Sequence, residues 1–259
     1  MKEAVRWYRV AGNQGEVEAQ FNLGYMYYNG EGLPRDFVKA VEWFRKSAAQ
    51  GNAGAQGSLG LMYDNGEGVP EDNTEALRLY HLGAKNGDMY SQFNLGCIYD
   101  SGEMVPEDNA AAVKWWLKAA AQGHTAAMAN IGVLYETGQG VKKDFAQAFK
   151  WYELAAKPGL PTAQCNLGQL YATGRGVKAD PAKAAEWYLK AARQGHAQAQ
   201  FLLGTALYFG NGVKQDPVMA YQWICLATNF GNSRAREHRR TIGDKLTVSQ
   251  FNTAAKGVR

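Results

Sequence analysis

Apolar residues recur along this chain at two helical spacings separated by a polar, glycine-rich stretch. Ala19, Leu23 and Tyr27 fall four apart, and Ala40, Trp43, Phe44 and Ala48 take up the same rhythm further on. Apolar positions every three or four residues predict amphipathic helices. The intervening Asn29-Gly30-Glu31-Gly32-Leu33-Pro34-Arg35-Asp36 predicts a loop, because glycine takes left-handed backbone angles and Pro34 cannot extend the first helix. Gly51 then stands where a second helix would end.

This two-helix pattern repeats. Leu23-Gly24, Leu59-Gly60, Leu95-Gly96, Ile131-Gly132, Leu167-Gly168 and Leu203-Gly204 follow one another at intervals of 36 residues. Trp7, Trp43, Trp115, Trp151, Trp187 and Trp223 keep the same interval with Leu79 as the one replacement, and Gly15, Gly51, Gly87, Gly123, Gly159, Gly195 and Gly231 keep it throughout. A fixed period of this length means a stack of helical hairpins, each burying its apolar face only against its neighbours. The period divides the chain into a partial repeat over 1–15, consisting of a second helix alone, and six repeats over 16–51, 52–87, 88–123, 124–159, 160–195 and 196–231. Capping helices are expected over 232–259.

One aspartate per repeat, at Asp36, Asp72, Asp108, Asp144, Asp180 and Asp216, directly precedes an amphipathic run. That is the place of an N-cap, whose carboxylate accepts from the first free amides of the helix, so the column reads as caps rather than as catalytic carboxylates. Small residues at Ala19, Ala40 and Ala48 let helices approach closely. Trp43 and its copies are expected to supply the bulk between hairpins. Thr247-Val248-Ser249-Gln250 reads as a capping box opening a last helix. The chain starts inside a second helix, with Ala4 and Trp7 in the Ala40 and Trp43 columns. We therefore expect a fragment of a longer protein or a mature chain without its leader, with Val5, Trp7 and Tyr8 uncovered and available for self-association.

Composition narrows the function. An apolar fraction of 46% and a charged fraction of 20% are those of a folded globular protein. A net charge of +4 is far from the concentrated positive face that nucleic acid requires. No window is apolar enough for a membrane span, and the opening Met1-Lys2-Glu3-Ala4-Val5-Arg6-Trp7 lacks the core of a signal peptide; periplasmic, secreted and cytoplasmic locations all stay open. Cys97, Cys165 and Cys225 have neither disulfide nor metal spacing and read as small core residues. His81, His124, His196 and His238 do not form a zinc pattern. His124 and His196, two repeats apart, read as exposed helix-start residues about 20 Å from each other. No phosphate-binding loop or nucleophile turn occurs, so neither cofactor, metal nor catalysis is expected. Arg234 to Arg240 reads as a solvated terminal helix.

The string A-Q-x-N-L-G-x-x-Y-x-x-G-x-G-V-x-x-D-x-x-K-A-x-x-W-Y-x-K-A-A-x-Q-G, fullest from Ala163 to Gly195, resembles the Sel-1-like repeat, a relative of the tetratricopeptide repeat. The resemblance covers nearly the whole chain and implies an all-α, right-handed α/α superhelical solenoid whose concave face, lined by the first helices, holds a partner. It implies a non-enzymatic scaffold or adaptor that binds a protein or peptide, in bacteria a host-interaction factor, regulator or immunity-type inhibitor. The alternative is a structural role through self-association of the solenoid ends. The sequence departs from the pattern at Met104, Leu79 and Lys157-Pro158-Gly159-Leu160-Pro161, where the superhelix is expected to bend.

On such a face the variable columns would meet the partner. They read Phe21, Gly57, Phe93, Ala129, Cys165 and Phe201; then Tyr25, Leu61, Cys97, Val133, Gln169 and Thr205; then Tyr28, Asp64, Asp100, Glu136, Ala172 and Tyr208. The groove is aromatic with an acidic middle. Asn22, Asn94, Asn130 and Asn166 fill a further column, which either bridges helices or, by analogy with the tetratricopeptide fold, bonds the backbone of a bound peptide. The candidate contacts are thus Phe21, Asn22, Tyr25, Tyr28, Asp64, Tyr90, Phe93, Asn94, Asp100, Asn130, Glu136 and Asn166. The loops offer a second surface, acidic early (Glu31, Glu67, Glu71, Glu103, Glu107) and basic late (Lys142, Lys143, Arg175, Lys178, Lys214).

Overall fold

Each second helix starts on its aspartate. The carboxylates of Asp36, Asp72, Asp108, Asp144, Asp180 and Asp216 accept from backbone amides two or three residues ahead, satisfying donors that a helix N-terminus leaves free. The first helices end on a glycine in the left-handed region, as at Gly30 with φ 75°, which L-residues with a side chain reach only at a cost. The result, in a computed structural model that describes residues 2–256, is fifteen helices and no strand among those residues.

The chain forms two compact units, Met1–Ala127 and Met128–Arg259. The first holds α1 (Lys2–Asn13), α2 (Val17–Asn29), α3 (Phe37–Ala49), α4 (Ala53–Asn65), α5 (Asn73–Lys85), α6 (Met89–Ser101) and α7 (Asn109–Ala121), and it ends at the start of α8 (Thr125–Thr137). The second holds the rest of α8, then α9 (Phe145–Ala156), α10 (Pro161–Thr173), α11 (Pro181–Arg193), α12 (Ala197–Phe209), α13 (Pro217–Asn229), α14 (Ser233–Gly243) and α15 (Val248–Lys256). In the first unit α2, α4 and α6 are first helices, and each packs against the second helix that follows it.

The Leu-Gly column explains itself in the packing. A side chain at Gly168 would place its Cβ 2.6 Å from the Tyr188 ring, and one at Gly132 would stand 2.6 Å from the ring of Tyr152. The glycine of every first helix is the seat for a large residue of its own second helix. Those large residues are Phe44, Tyr80, Trp116, Tyr152, Tyr188 and Ile224, all buried. This corrects the expectation for the tryptophans. Trp116, Tyr80, Tyr152 and Phe44 are among the largest fully buried side chains, whereas Trp43, Trp115, Trp187 and Trp223 are only half-buried, since they lie between successive second helices near the surface. Val5 also departs from expectation: it is buried, while Trp7 and Tyr8 are exposed.

A ladder of amides ties successive hairpins together. Gln20, Gln56, Gln92, Gln164 and Gln200 are buried, and each donates to the carbonyl eight residues earlier: Gly12, Ala48, Ala84, Ala156 and Ala192. Burial of an amide is tolerable only when it is bonded in this way. At the C-terminal side, Thr247 and Gln250 bond reciprocally, the Thr247 amide to Gln250 Oε1 at 3.0 Å and the Gln250 amide to Thr247 Oγ1 at 3.3 Å. That is the capping box the sequence predicts.

Candidate functional site

The face made by α2, α4 and α6 in the first unit carries nine of the twelve candidate contacts. Tyr25 is 48% exposed and Tyr90 64%; Phe21, Asn22, Tyr28, Asp64, Phe93, Asn94 and Asp100 are half-buried. Phe21 packs both outward, 6.5 Å from Tyr25 between ring centres, and inward, 5.9 Å from Phe44. α4 presents no side chain at Gly54, and a Cβ there would come 3.1 Å from the Phe21 ring. On α6, Phe93 stacks on His124 at 4.2 Å, and Tyr90 meets the same imidazole edge-on at 5.7 Å. Aromatic rings thus stand on both sides of α4.

The Phe21 column is not a surface column throughout. Gly57, Ala129, Cys165 and Phe201 are buried: Ala129 and Cys165 pack against Tyr152 and Tyr188 of their own second helices, and a Cβ at Gly57 would meet Asp88 and Ser91 of the next hairpin. Phe201, for example, belongs to a core cluster with Tyr221 and Ile224. Only Phe21 and Phe93 of this column keep part of their surface. His124 and His196 are also not exposed. Both are half-buried N-caps whose Nδ1 accepts an amide at 3.2 Å, from Ala127 and Ala199, and burial pushes their pKa down.

The acidic positions divide into two kinds. Asp64 accepts from the buried Tyr80 hydroxyl at 3.0 Å, and in the second unit Glu136 accepts from Tyr152 at 2.8 Å. Burial and the facing carboxylate both raise the pKa of these phenols, while Asn94 beside Tyr80, and Asn166 beside Tyr152, act in the opposite direction. Two of the four asparagines therefore sit beside a tyrosine of the preceding hairpin. Asn130 is half-buried on α8. Asp100 differs from Asp64, since the second helix of its repeat offers Trp116, whose Nε1 donates to the Phe93 carbonyl at 3.1 Å. Burial and the charge of Glu107 raise the Asp100 pKa. Among the described residues no cation lies within ion-pair distance of it.

Beside Asp64 lies a cleft of about 220 Å³, lined also by Leu61, Tyr80, Asn94 and Cys97. Cys97 is half-buried there rather than in the core, and burial raises its thiol pKa, so it is a poor nucleophile. Cys165 and Cys225 are buried as expected. No cluster of three metal-ligating side chains occurs among the described residues. No described helix is long and apolar enough to cross a membrane.

With this geometry in hand, comparison with known proteins is decisive for the family. The Sel1 repeat matches residues 1–16, 17–52, 53–88, 90–124, 125–159, 161–196 and 197–229. The chain belongs to the Sel1-repeat family. It is an all-α Sel1-repeat solenoid, and repeats of this kind generally mediate protein–protein interaction. It is similar to the structure of c5321, a protective antigen of uropathogenic Escherichia coli with this fold, at 32% identity and a TM-score of 0.86. That match covers 97% of this chain and 56% of the antigen, so the chain spans little more than half the antigen's length. It is also similar to a Sel1 repeat protein of Oxalobacter formigenes, at 33% identity and a TM-score of 0.77, covering 87% of this chain and 99% of that one. No curated protein matches the chain.

Proposed function

We propose that the chain is a non-enzymatic scaffold that binds a protein or peptide on the face formed by α2, α4 and α6. The observation that carries this reading is Asp100, a half-buried carboxylate with no cation within ion-pair distance among the described residues, on the same face as the exposed rings of Tyr25 and Tyr90. Desolvated charge left unpaired is costly, and a cationic group of a partner would relieve it. Exposed aromatic rings supply contact area with little side-chain entropy to lose. Such a face suits an extended segment that combines apolar residues with lysine or arginine.

The test compares the chain with a Tyr25→Ala, Tyr90→Ala, Asp100→Asn variant as bait in lysate of the source organism. All three changes leave the buried columns intact, so both baits should show the same helical circular dichroism at the temperature of the experiment. A partner held by the parent and lost by the variant supports the reading. A partner held equally by both contradicts it.

A further inference from the structure

Leu79 is the one place where the tryptophan column is broken, and a large cleft opens there. The cleft has a volume of about 550 Å³ and lies between α3 and α5, with Ala48, Leu79 and Leu82 in its apolar lining and Arg45, Tyr63 and Arg78 also lining it. This volume is within the range of sites that take organic groups.

The neighbouring interfaces show what normally occupies this space. Between α1 and α3 the Trp43 ring reaches over Gly12, whose added Cβ would stand 3.3 Å from it. Between α5 and α7, Trp115 packs against the cluster of Ala76, Tyr80 and Ala84 and meets His81 edge-on at 5.9 Å. Lys46 and Lys118 cover the two indoles at 4.2 and 4.0 Å. Between α3 and α5 both parts change: Leu79 replaces the tryptophan and Leu82 the lysine. Leu79 is buried, but its shorter side chain leaves the outer part of an indole-shaped space empty.

The rim supplies a charge. Arg78 is satisfied by Glu75, with two hydrogen bonds of 2.7 and 2.8 Å. Arg45, which holds the place of His81 one repeat earlier, bonds only the Tyr63 hydroxyl, at 2.7 Å. The nearest carboxylate in the lining, Glu75, is held by Arg78 and feels Arg45 only at longer range; among the described residues none lies within ion-pair distance of Arg45. A guanidinium prefers a carboxylate to a neutral phenol.

We propose that this cleft is a second recognition site, which takes a large aromatic side chain of a partner protein with a carboxylate on the adjacent residue. The partner's ring would complete the tryptophan column from outside, and its carboxylate would draw Arg45 from Tyr63. The site lies between the second helices α3 and α5, with Gln56, Leu59 and Tyr63 of α4 also lining it, and it uses none of the residues proposed as contacts on the other face.

The test uses the full chain and a blocked peptide, N-acetyl-glutamyl-tryptophan amide, followed by backbone amide NMR shifts. Saturable shifts near Tyr63 and Leu82 are expected. They should vanish in Leu79→Trp, which fills the cleft from within and should raise the melting temperature. Affinity should fall roughly two- to fivefold for the glutaminyl peptide and for Arg45→Gln, the scale of one exposed ion pair. No shifts at millimolar peptide, or the same shifts in Leu79→Trp, would overturn the proposal. Should Leu79→Trp fail to fold, Arg45→Gln decides, because that exposed side chain supports no core: equal affinity for the charged peptide would overturn the role of the carboxylate.

Discussion

Gln50 donates to Gln20 Oε1 at 2.8 Å across thirty residues of chain, while Gln20 donates onward to the Gly12 carbonyl at 3.0 Å. The same link joins Asn86 to Gln56, Gln122 to Gln92 and Gln194 to Gln164. Where one member is missing the other tends to change with it. The fourth repeat has Met128 in the glutamine column and Pro158 in the donor column, which accounts for one departure at Lys157-Pro158-Gly159-Leu160-Pro161. The last repeat keeps Gln200 but has Phe230 at the donor position, and Gln200 Oε1 is left buried without a partner.

Phe230→Gln should therefore stabilise the protein. The ring is 60% exposed, so little burial is lost, and the new amide completes the ladder for a gain of about 1 kcal/mol. Urea unfolding should show a higher midpoint; an unchanged or lower midpoint would contradict the account of the ladder.

Gln92→Leu should do the reverse. It strips the buried Ala84 carbonyl of its side-chain donor and Gln122 of one of its two acceptors, leaving the Gly87 carbonyl, at a cost of about 1–3 kcal/mol. The loss should exceed that of Gln122→Leu, because Gln122 is exposed and water can replace its bonds.

Gly168→Ala should destabilise by about 1–3 kcal/mol, since the new methyl overpacks the Tyr188 ring. The double change Gly168→Ala, Tyr188→Ala should cost less than the sum of the two single changes, as expected for residues in contact.

Mild acid should weaken the fold through its histidines. Burial lowers the pKa of His81, His124 and His196 from 6.5, so the folded state prefers the neutral ring. Their contribution is fully present above the unfolded pKa and is lost as pH falls through the lowered folded values. Unfolding midpoints should start to drop as pH falls through about 6.5, the ordinary histidine value, and keep dropping below it. The slope should shrink in His124→Asn, His196→Asn, where asparagine keeps the N-caps without titrating.

Much of this architecture was legible in sequence, because a period writes the same physical demand several times. The Asp36 column, the Leu-Gly pairs and the Thr247–Gln250 box all declare themselves by spacing along the chain. Contacts between helices do not. Nothing local tells Trp43 from Phe44, yet Phe44 takes the buried seat beside Gly24 while Trp43 stays near the surface. The glutamines look like surface residues until their partners, thirty positions on, are placed beside them. The candidate face was partly legible: Tyr25 and Tyr90 are open, whereas the Phe21 column is buried everywhere except at Phe21 and Phe93. Asp64 and Glu136 proved to be bonded to Tyr80 and Tyr152, sixteen residues away in sequence, whereas at the matching place beside Asp100 stands Trp116, whose indole donates to the Phe93 carbonyl instead.

The most direct test of protein binding by this face is photo-crosslinking in lysate of the source organism. A benzophenone amino acid is placed in turn at Tyr25, at Leu61, and at Leu117 on the second helix α7, where the side chain is also exposed. The account predicts one shared adduct from positions 25 and 61 and none of that mass from 117. The same adduct from all three positions, or from 117 alone, would contradict it.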